Sequence, residues 1–329
     1  MSLIELPAEI LLQIFDHVGS SYFRSDLSHL RVCKRWNGLA HIVCFREACI
    51  TTKMLRRMAS SPYAESSLRE MEILDLNLEG FGTVRPGTVL DPKDSSWNYA
   101  PDQSSLQRRT MELNDDLVHL ATIIKQSRKL RTLRIKAIKP SNPVFEIRET
   151  YLFPSTLRAL LLSTSNLTAL ELDLYGTRPE PEGHPHHGDD GHVCPMIGAL
   201  LPTLQRLRLR VRTICADALR PPRDFPGPLP LRVLLVDFVL TEELANEKSR
   251  FTARCGGPGR FVRLAQVVRG AVLNRARALL PHTSAPKMVR ILTGTFSGDE
   301  IQGIDVLTGK NIKVKKGAEW DDDSEVMMD

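Results

Sequence analysis

The middle of the chain repeats one alternation of apolar and polar residues, with leucine or a related residue at the first, fourth and sixth positions. A period of two predicts a β-strand that buries one of its faces. The five copies run over 71–78, 130–135, 167–174, 204–211 and 231–236. Their second leucines are Leu74, Leu133, Leu170, Leu207 and Leu234, which are 59, 37, 37 and 27 residues apart. Two equal steps indicate a true repeat, and the unequal steps indicate insertions between its units.

Stretches with the apolar spacing of a helix precede four of these copies, at 52–59, 113–126, 155–163 and 194–201. Helix followed by strand, repeated, predicts parallel strands joined by helical crossovers. One unit cannot bury its apolar face alone, so a stack of units shares a leucine core. The pattern resembles irregular leucine-rich repeats, and it places an α/β solenoid with a parallel sheet over residues 51–240. We expect mobile surface insertions at about 80–109 and 176–193, which are rich in Gly, Pro and Asp.

The first fifty residues have helical spacing instead. Pro7 suits the first turn of a helix, and Gly19 is predicted to end that helix. A second helical stretch begins near Ser25 or Asp26, and a third carries Trp36 and further apolar residues at helical steps. Three short helices cannot bury much surface alone. Their apolar faces are therefore expected to need a partner or the next domain.

Three motifs in this segment make the chain similar to a known family. The sequences Leu6-Pro7-Ala8-Glu9-Ile10-Leu11, Ile14-Phe15 and Leu30-Arg31-Val32-Cys33-Lys34-Arg35-Trp36 resemble the F-box over residues 3–50. The likeness is to fungal-type F-box proteins with a leucine-rich-repeat-like C-terminal domain. It implies an N-terminal three-helix F-box that docks on a Skp-type adaptor and, through it, joins a cullin-RING ubiquitin ligase. The implied adaptor-binding residues are Leu6, Pro7, Ile10, Leu11, Ile14, Val32, Cys33 and Trp36. The alternative is a generic three-helix cap on a repeat domain.

Charged residues fill two rows on the face of the strands that points away from the leucine core. One row is Asp75, Arg134, Glu171, Arg208 and Leu235, and the next is Asn77, Lys136, Asp173, Arg210 and Asp237. Alternating signs predict two ladders of ion pairs, Arg134–Glu171–Arg208 and Lys136–Asp173–Arg210. Two interpretations stay open, a solvated face whose pairs contribute about 0–1 kcal/mol each, or a surface for an acidic or phosphorylated target. In the second, the target-binding residues are Arg134, Lys136, Arg206, Arg208 and Arg210.

Residues 241–329 form the C-terminal part. The stretch 260–280 predicts an amphipathic helix with basic residues outside its apolar stripe. We expect it to cap the open end of the solenoid, although such helices also bind membranes or grooves. Segments 288–292, 304–307 and 311–315 predict short strands, of which the last two form a hairpin, and an acidic tail follows.

Composition limits the function classes. The net charge of +5 does not require nucleic acid, and no apolar run of eighteen residues predicts a membrane span. The six cysteines form no C-x-x-C pair, and no signal peptide is recognised at the N-terminus. These features predict free thiols in the cytoplasm or nucleus, with neither nucleic acid nor a membrane as partner.

Catalytic signals are weak. The chain lacks a nucleophile motif, and its histidine-rich cluster falls in a Pro/Gly-rich segment that is expected to fix no geometry. That cluster comprises His184, His186, His187, Asp189, Asp190 and His192. We therefore expect no cofactor, no metal and no enzymatic activity. The resemblance to the F-box implies a substrate-recognition subunit of an SCF-type ubiquitin ligase. A repeat scaffold without ubiquitin transfer and a metal-dependent hydrolase built on the histidines are the competing hypotheses.

Overall fold

A computed structural model describes residues 3–59, 68, 71–80, 103–138, 151–174, 177, 192–211, 214–239, 261–294 and 300–315. Over these residues the chain is a mixed α/β protein in which N-terminal helices precede one long, mostly parallel sheet. No helix in this part of the chain combines the length and the apolar character needed to cross a membrane.

The N-terminal region consists of short helices. They are α1 (Ala8–Val18), α2 (Ser20–Ser25) and α3 (Lys34–Arg46), with 3₁₀ helices at Leu3–Glu5 and Leu27–Leu30. Gly19 ends α1 as predicted, and its φ of 85° is a value that L side chains rarely adopt. The chain then enters α2 at once, a helix that the sequence pattern did not predict. The Asp26 carboxylate accepts a hydrogen bond from Ser28 N at 2.8 Å, which caps the second 3₁₀ helix.

The sheet contains nine strands in sequence order within the described residues. They are β1 (Glu47–Thr51), β2 (Ile73–Glu79), β3 (Thr132–Ile138), β4 (Ala169–Asp173), β5 (Arg206–Val211), β6 (Val233–Val239), β7 (Met288–Gly294), β8 (Glu300–Asp305) and β9 (Asn311–Lys315). Strands β1 to β7 are parallel, and β8 and β9 add an antiparallel hairpin at the edge. The predicted hairpin and the parallel pairing of the five repeated strands are confirmed.

The register follows the sequence repeat. Leu74, Leu133, Leu170, Leu207 and Leu234 pair across β2 to β6. All of them are 0–1% exposed, because they point to the face on which the helices pack. Alignment of the copies on their second leucine therefore gave the correct register, since a slip of one residue would turn every leucine outward.

Helices between the strands complete the core. They are α4 (Thr52–Ala59), α5 (Gln103–Ile124), α6 (Pro154–Leu162), α7 (Cys194–Leu200) and α8 (Phe261–Leu279), with further 3₁₀ helices at Ala216–Leu219 and Leu280–His282. One continuous cluster joins strand leucines to helix residues such as Leu117, Leu160, Ile197 and Val272. We call the opposite side of the sheet, which carries the two charged rows, the helix-free face, because the connecting helices among the described residues pack on the leucine side.

The insertions differ from expectation where the structure describes them. The loop expected at about 80–109 extends too far, because α5 already begins at Gln103. The same helix carries Leu113 and Leu117, which are buried. Residues 81–102 and most of 176–193 lie outside the described residues. Of the second segment, Thr177 and His192 are buried rather than at the surface.

The helical region joins the sheet without a linker. Helix α3 ends at Arg46, and β1 begins at the next residue, so the expected domain boundary at residue 50 falls inside β1. Arg46 pairs with Asp16 at 2.6 Å and with Glu72 at 3.5 Å, and Arg24 pairs with Glu47 at 3.2 Å. The pair with Asp16 joins α3 to α1, and the pairs with Glu72 and Glu47 connect the N-terminal helices to β1 and to the residue before β2.

Candidate partner-binding surfaces

The N-terminal helices have a small core of their own. Its centre is Phe15, whose ring lies edge-on to Phe23 at 5.3 Å and to Trp36 at 4.4 Å between centroids. Trp36 Nε1 donates a hydrogen bond to the His29 carbonyl at 2.7 Å, and Asn37 Nδ2 donates to the Leu30 carbonyl at 3.0 Å. Trp36 therefore fixes the helices against one another and keeps only part of its surface in solvent.

Large apolar side chains remain exposed in the same region. Among the described residues eleven such side chains are exposed, and six of them fall within residues 3–32. The six are Leu3, Ile10, Val18, Tyr22, Leu27 and Val32. Single exposed apolar residues are ordinary on a protein surface, but a concentration of them indicates a site for a partner.

The residues predicted to bind the adaptor divide by exposure. Pro7, Ile10 and Val32 are exposed, with 41% of Ile10 and 56% of Val32 accessible, and Leu6 and Ile14 are half-buried. We call these five residues the N-terminal apolar surface. Arg35 donates a hydrogen bond to the Leu6 carbonyl at 2.6 Å, which holds the beginning of α1 beside the beginning of α3. Both segments that carry the surface are therefore fixed relative to each other.

Three other predicted residues have internal roles. Leu11 is only 1% exposed, so it packs inside the protein and offers no surface in this conformation, and its contact with the adaptor stays a prediction. Cys33 is half-buried and caps α3, with its Sγ accepting from Trp36 N at 3.4 Å. Trp36 is half-buried in the aromatic cluster. The apolar spacing of α1 places Ile10 and Leu11 on the same stripe of the helix. It could not show that Leu11 is buried and Ile10 exposed, because burial within a stripe depends on what packs against each residue.

The helix-free face brings the first predicted ladder together. Arg134 lies between Asp75 at 3.3 Å and Glu171 at 3.5 Å. On its other side Glu171 receives Arg208 at 3.7 Å and Arg206 at 3.8 Å. The predicted sequence Arg134–Glu171–Arg208 is therefore confirmed, and Asp75 and Arg206 extend it.

The second ladder is centred on Arg210. Its guanidinium lies 3.7 Å from Asp173 and donates from Nε to Asp237 at 2.9 Å. Asp237 is fully buried on this face, which sequence reasoning did not predict. Burial raises the pKa of Asp237 above its usual value, and Asp173 raises it further, while Arg210 opposes both. Lys136 is exposed, and its pairing with Asp173 stays a prediction.

Two basic side chains on this face are more exposed than the carboxylates. Arg206 is 44% exposed and Arg134 is 37% exposed, whereas Glu171 and Asp173 are 16% and 14% exposed. Arg208 and Arg210 lie nearly as deep as the carboxylates, at 15% and 22%. The rows thus come close to neutrality in sum while presenting basic groups to solvent. Burial also raises the pKa of Asp75, against the opposing effect of Arg134.

The far end of the helix-free face is mostly apolar. Leu235 and Leu292 are fully buried there, and Ile312 and Val314 are buried with them. Leu235 on β6 takes the place of a charged residue in the first row, and the buried Arg290 follows it in register on β7. Arg134, Lys136, Arg206, Arg208 and Arg210, the residues predicted to bind a target, all lie on β3 and β5 before this apolar end.

Of the histidine-rich cluster, only His192 lies within the described residues. The expectation that it sits in a loop without fixed geometry is wrong, because His192 is 7% exposed and its Nε2 lies 3.2 Å from Cys215 Sγ. The other members of that cluster lie outside the described residues, so the hydrolase hypothesis gains no support from them.

Comparison with known proteins identifies one region of the chain. Residues 3–51 match the F-box-like family model. No match to the chain was found among curated proteins. F-box domains generally bind Skp-type adaptors of cullin-RING ligases. The chain therefore carries an F-box-like domain at residues 3–51, and this domain suggests a role in binding a Skp-type adaptor.

Proposed function

We propose that this chain is the substrate-recognition subunit of an SCF-type ubiquitin ligase. Its F-box-like domain binds a Skp-type adaptor through the N-terminal apolar surface, and the region behind it holds a target protein. The observation that carries the proposal is the concentration of exposed apolar side chains inside the segment that matches the family model. The chain performs no chemistry itself. It raises the local concentration of target lysines near a conjugating enzyme in the cytoplasm or nucleus.

The sheet region supports a target-binding role through its architecture. The order of the strands and the packing of helices on one side support an irregular leucine-rich-repeat-like solenoid in this proposal. Helix α8, which packs Val272, Ala276 and Leu279 into the core between β6 and β7, is the proposed helical cap. The helix-free face is the target surface in this proposal. Its outward basic groups suit an acidic or phosphorylated segment, because guanidinium groups pair well with carboxylates and phosphates.

The direct passage from α3 into β1 matters for this function. A bound target is positioned relative to the adaptor by the connection between the two regions, and here the ion pairs of Arg46 and Arg24 brace that connection. A braced connection restricts which target lysines reach the conjugating enzyme. A flexible linker would sample many more positions.

The proposal is tested by co-expression with a Skp-type adaptor. The wild-type chain should co-purify with the adaptor in a one-to-one complex through size-exclusion chromatography. Changing Leu6, Pro7 and Ile10 to alanine should abolish the complex. The matched control is Leu162→Ala, which removes a side chain that is 62% exposed on α6 and should leave the complex intact. Elution of the folded wild-type chain without adaptor would contradict the proposal and favour a repeat scaffold without ubiquitin transfer.

A further inference from the structure

Three metal-ligating side chains meet at the beginning of α7. His192 precedes the helix by two residues, Cys194 is its first residue, and Cys215 directly precedes the 3₁₀ helix Ala216–Leu219. All three are buried, at 7%, 5% and 8% exposure. One ligand atom from each lies within 4.8 Å of the others, and His192 Nε2 is 3.2 Å from Cys215 Sγ.

A carboxylate stands on the Cys215 side of this group and can supply a fourth ligand, while only His192, Cys194 and Cys215 have ligand atoms that all lie within 4.8 Å of one another. Asp217 Oδ2 lies 3.7 Å from Cys215 Sγ, and its other oxygen, Oδ1, is 3.2 Å from Arg220. The ligands thus come as two pairs, His192 with Cys194 and Cys215 with Asp217, each pair separated by one residue. Because neither pair is a C-x-x-C motif and the pairs are far apart in sequence, spacing alone did not reveal the group.

The distances suit tetrahedral zinc. Bond lengths of about 2.3 Å to sulfur and 2.0–2.1 Å to nitrogen or oxygen imply ligand separations of about 3.5–3.8 Å. The two separations from Cys215 Sγ, 3.2 Å to His192 Nε2 and 3.7 Å to Asp217 Oδ2, lie within a few tenths of an ångström of that range, and Cys194 Sγ lies within 4.8 Å of the His192 and Cys215 ligand atoms. Thiolate and imidazole together favour Zn²⁺ over the hard cations, which prefer oxygen ligands alone.

Direct contact between α7 and residues 215–220 holds the backbone around the three ligands in place. A Cβ at Gly198 would stand 2.6 Å from the Asp217 carbonyl oxygen and 2.5 Å from that of Arg220, so α7 and the 3₁₀ helix are in direct backbone contact. Cys215 N also donates to Cys194 Sγ at 3.4 Å. These contacts fix the positions from which both ligand pairs extend, as a structural zinc site requires.

Burial of His192 gives a separate reason to expect a metal. Its Nδ1 is buried without a hydrogen-bond partner among the described residues, and its Nε2 faces sulfur, which is a weak partner. A buried imidazole in such surroundings is costly. Coordination of Nε2 to a cation replaces its weak contact with sulfur by a strong bond.

We propose that His192, Cys194, Cys215 and Asp217 bind one Zn²⁺, which links α7 to the 3₁₀ helix Ala216–Leu219. Both thiols release their protons to solvent when the metal binds. Two thiolates and one carboxylate leave the complex with one net negative charge, and Arg220 at 3.2 Å from Asp217 balances it. Four protein ligands make a closed, structural site with no position for a substrate.

Elemental analysis of the untagged full-length chain, purified without chelator, tests the proposal. We expect about one zinc per chain, and exchange for Co²⁺ should give the visible bands and the thiolate charge-transfer band of tetrahedral cobalt. Cys194→Ser and Cys215→Ser should each lose the metal and the charge-transfer intensity, and Asp217→Asn should bind cobalt at least tenfold more weakly. Cys49→Ser is the matched control, because Cys49 is exposed on β1 and its removal should change neither signal.

A second control excludes the neighbouring histidines. Changing His184, His186 and His187 together to alanine should leave the zinc content unchanged. The proposal is overturned if the folded wild-type chain binds neither zinc nor cobalt, or if metal binding survives in both cysteine variants. Intact-mass analysis that finds Cys194 and Cys215 joined in a disulfide in the freshly purified chain would equally overturn it.

Discussion

The F-box-like domain and the sheet region manage their apolar surface in different ways. The domain has a core cluster of only six buried residues, from Phe15 to Cys44, and leaves six large apolar side chains exposed. The sheet region joins every strand from β1 to β7 and the helices beside them into one continuous cluster. A small helical unit cannot enclose its own apolar residues, whereas a stack of strands and helices can. We therefore expect the first region to need a partner to cover its apolar surface, whereas the described part of the second encloses a large core of its own.

The surfaces that the two regions offer to partners also differ in chemistry. Binding of an adaptor at the N-terminal apolar surface would be stabilised by the removal of Ile10 and Val32 from water, and this contribution depends little on salt. The helix-free face offers Arg134, Lys136 and Arg206 in partly solvated positions, where salt screens attraction. Adaptor binding and target binding should therefore respond to different perturbations.

The largest effect is expected in the core of the sheet region. Leu207→Ala should lower the free energy of unfolding by about 2–5 kcal/mol, because Leu207 is fully buried between Leu170 and Leu234. Arg206→Ala, one residue away on the opposite face and 44% exposed, should change it by about 0–1 kcal/mol. Denaturant unfolding measures both. Equal losses would show that this core does not carry the stability of the region.

Substitutions at the N-terminal apolar surface should weaken adaptor binding and leave the stability of the fold unchanged. Ile10→Asp and Val32→Asp should weaken adaptor binding at least about 100-fold, since each removes apolar contact area and forces a carboxylate out of water. The thermal midpoint should stay within about 2 °C of the wild type, because both side chains are exposed. Isothermal titration with the adaptor and thermal unfolding provide the two readouts.

Two variants control this prediction. Leu162→Asp introduces the same charge at an exposed leucine of α6 and should bind the adaptor normally. Leu11→Ala should lower the free energy of unfolding by about 2–5 kcal/mol, because Leu11 is buried. If Leu11→Ala weakened adaptor binding without loss of stability, Leu11 would be a direct contact with the adaptor.

A smaller effect is expected for the helix-free face. Lys136→Glu combined with Arg206→Glu should reduce capture of targets, identified by proximity labelling with the wild-type chain, by about tenfold. Adaptor affinity should not change. The pair Lys125→Glu and Arg128→Glu makes the same change of charge at exposed positions after α5 and serves as the control. Equal capture by both double variants would contradict target binding at the helix-free face and favour the interpretation of a solvated face.

The smallest effect concerns pH. Because burial raises the pKa of Asp237 in the folded chain, the native state binds its proton more tightly than the unfolded state does. The associated stability is present below the usual value of 3.8 and is lost as pH rises through the raised pKa. Asp237→Asn removes this loss, so the stability of the variant relative to wild type should increase from pH 4 to pH 7. A constant or decreasing difference would show that Arg210 outweighs burial.

The sheet was predictable from sequence because its signal is local and repeated. Alternation along each strand and the alignment on Leu74, Leu133, Leu170, Leu207 and Leu234 were enough to give the register and the first charge ladder. β1 was missed because its single short copy, EACIT, shows no repeated leucine and gains its place only by pairing with β2.

Features set by contacts between distant residues were not predictable. The depth of Leu11 depends on how α1 meets the other helices, and the full burial of Asp237 depends on its neighbours across the sheet. His192 and Cys215 meet only because α7 lies directly against the 3₁₀ helix. Sequence spacing carries no record of such contacts, and it favoured a loop without fixed geometry at this position.

Hydrogen–deuterium exchange of the full-length chain, with and without a saturating Skp-type adaptor, tests the central claim most directly. The account predicts that slowed exchange is confined to peptides within residues 3–51 and is strongest at the beginnings of α1 and α3. Peptides from β3 to β6 should be unchanged. Exchange that is identical in the two samples, or protection confined to the strands, would contradict the claim that the adaptor covers the N-terminal apolar surface.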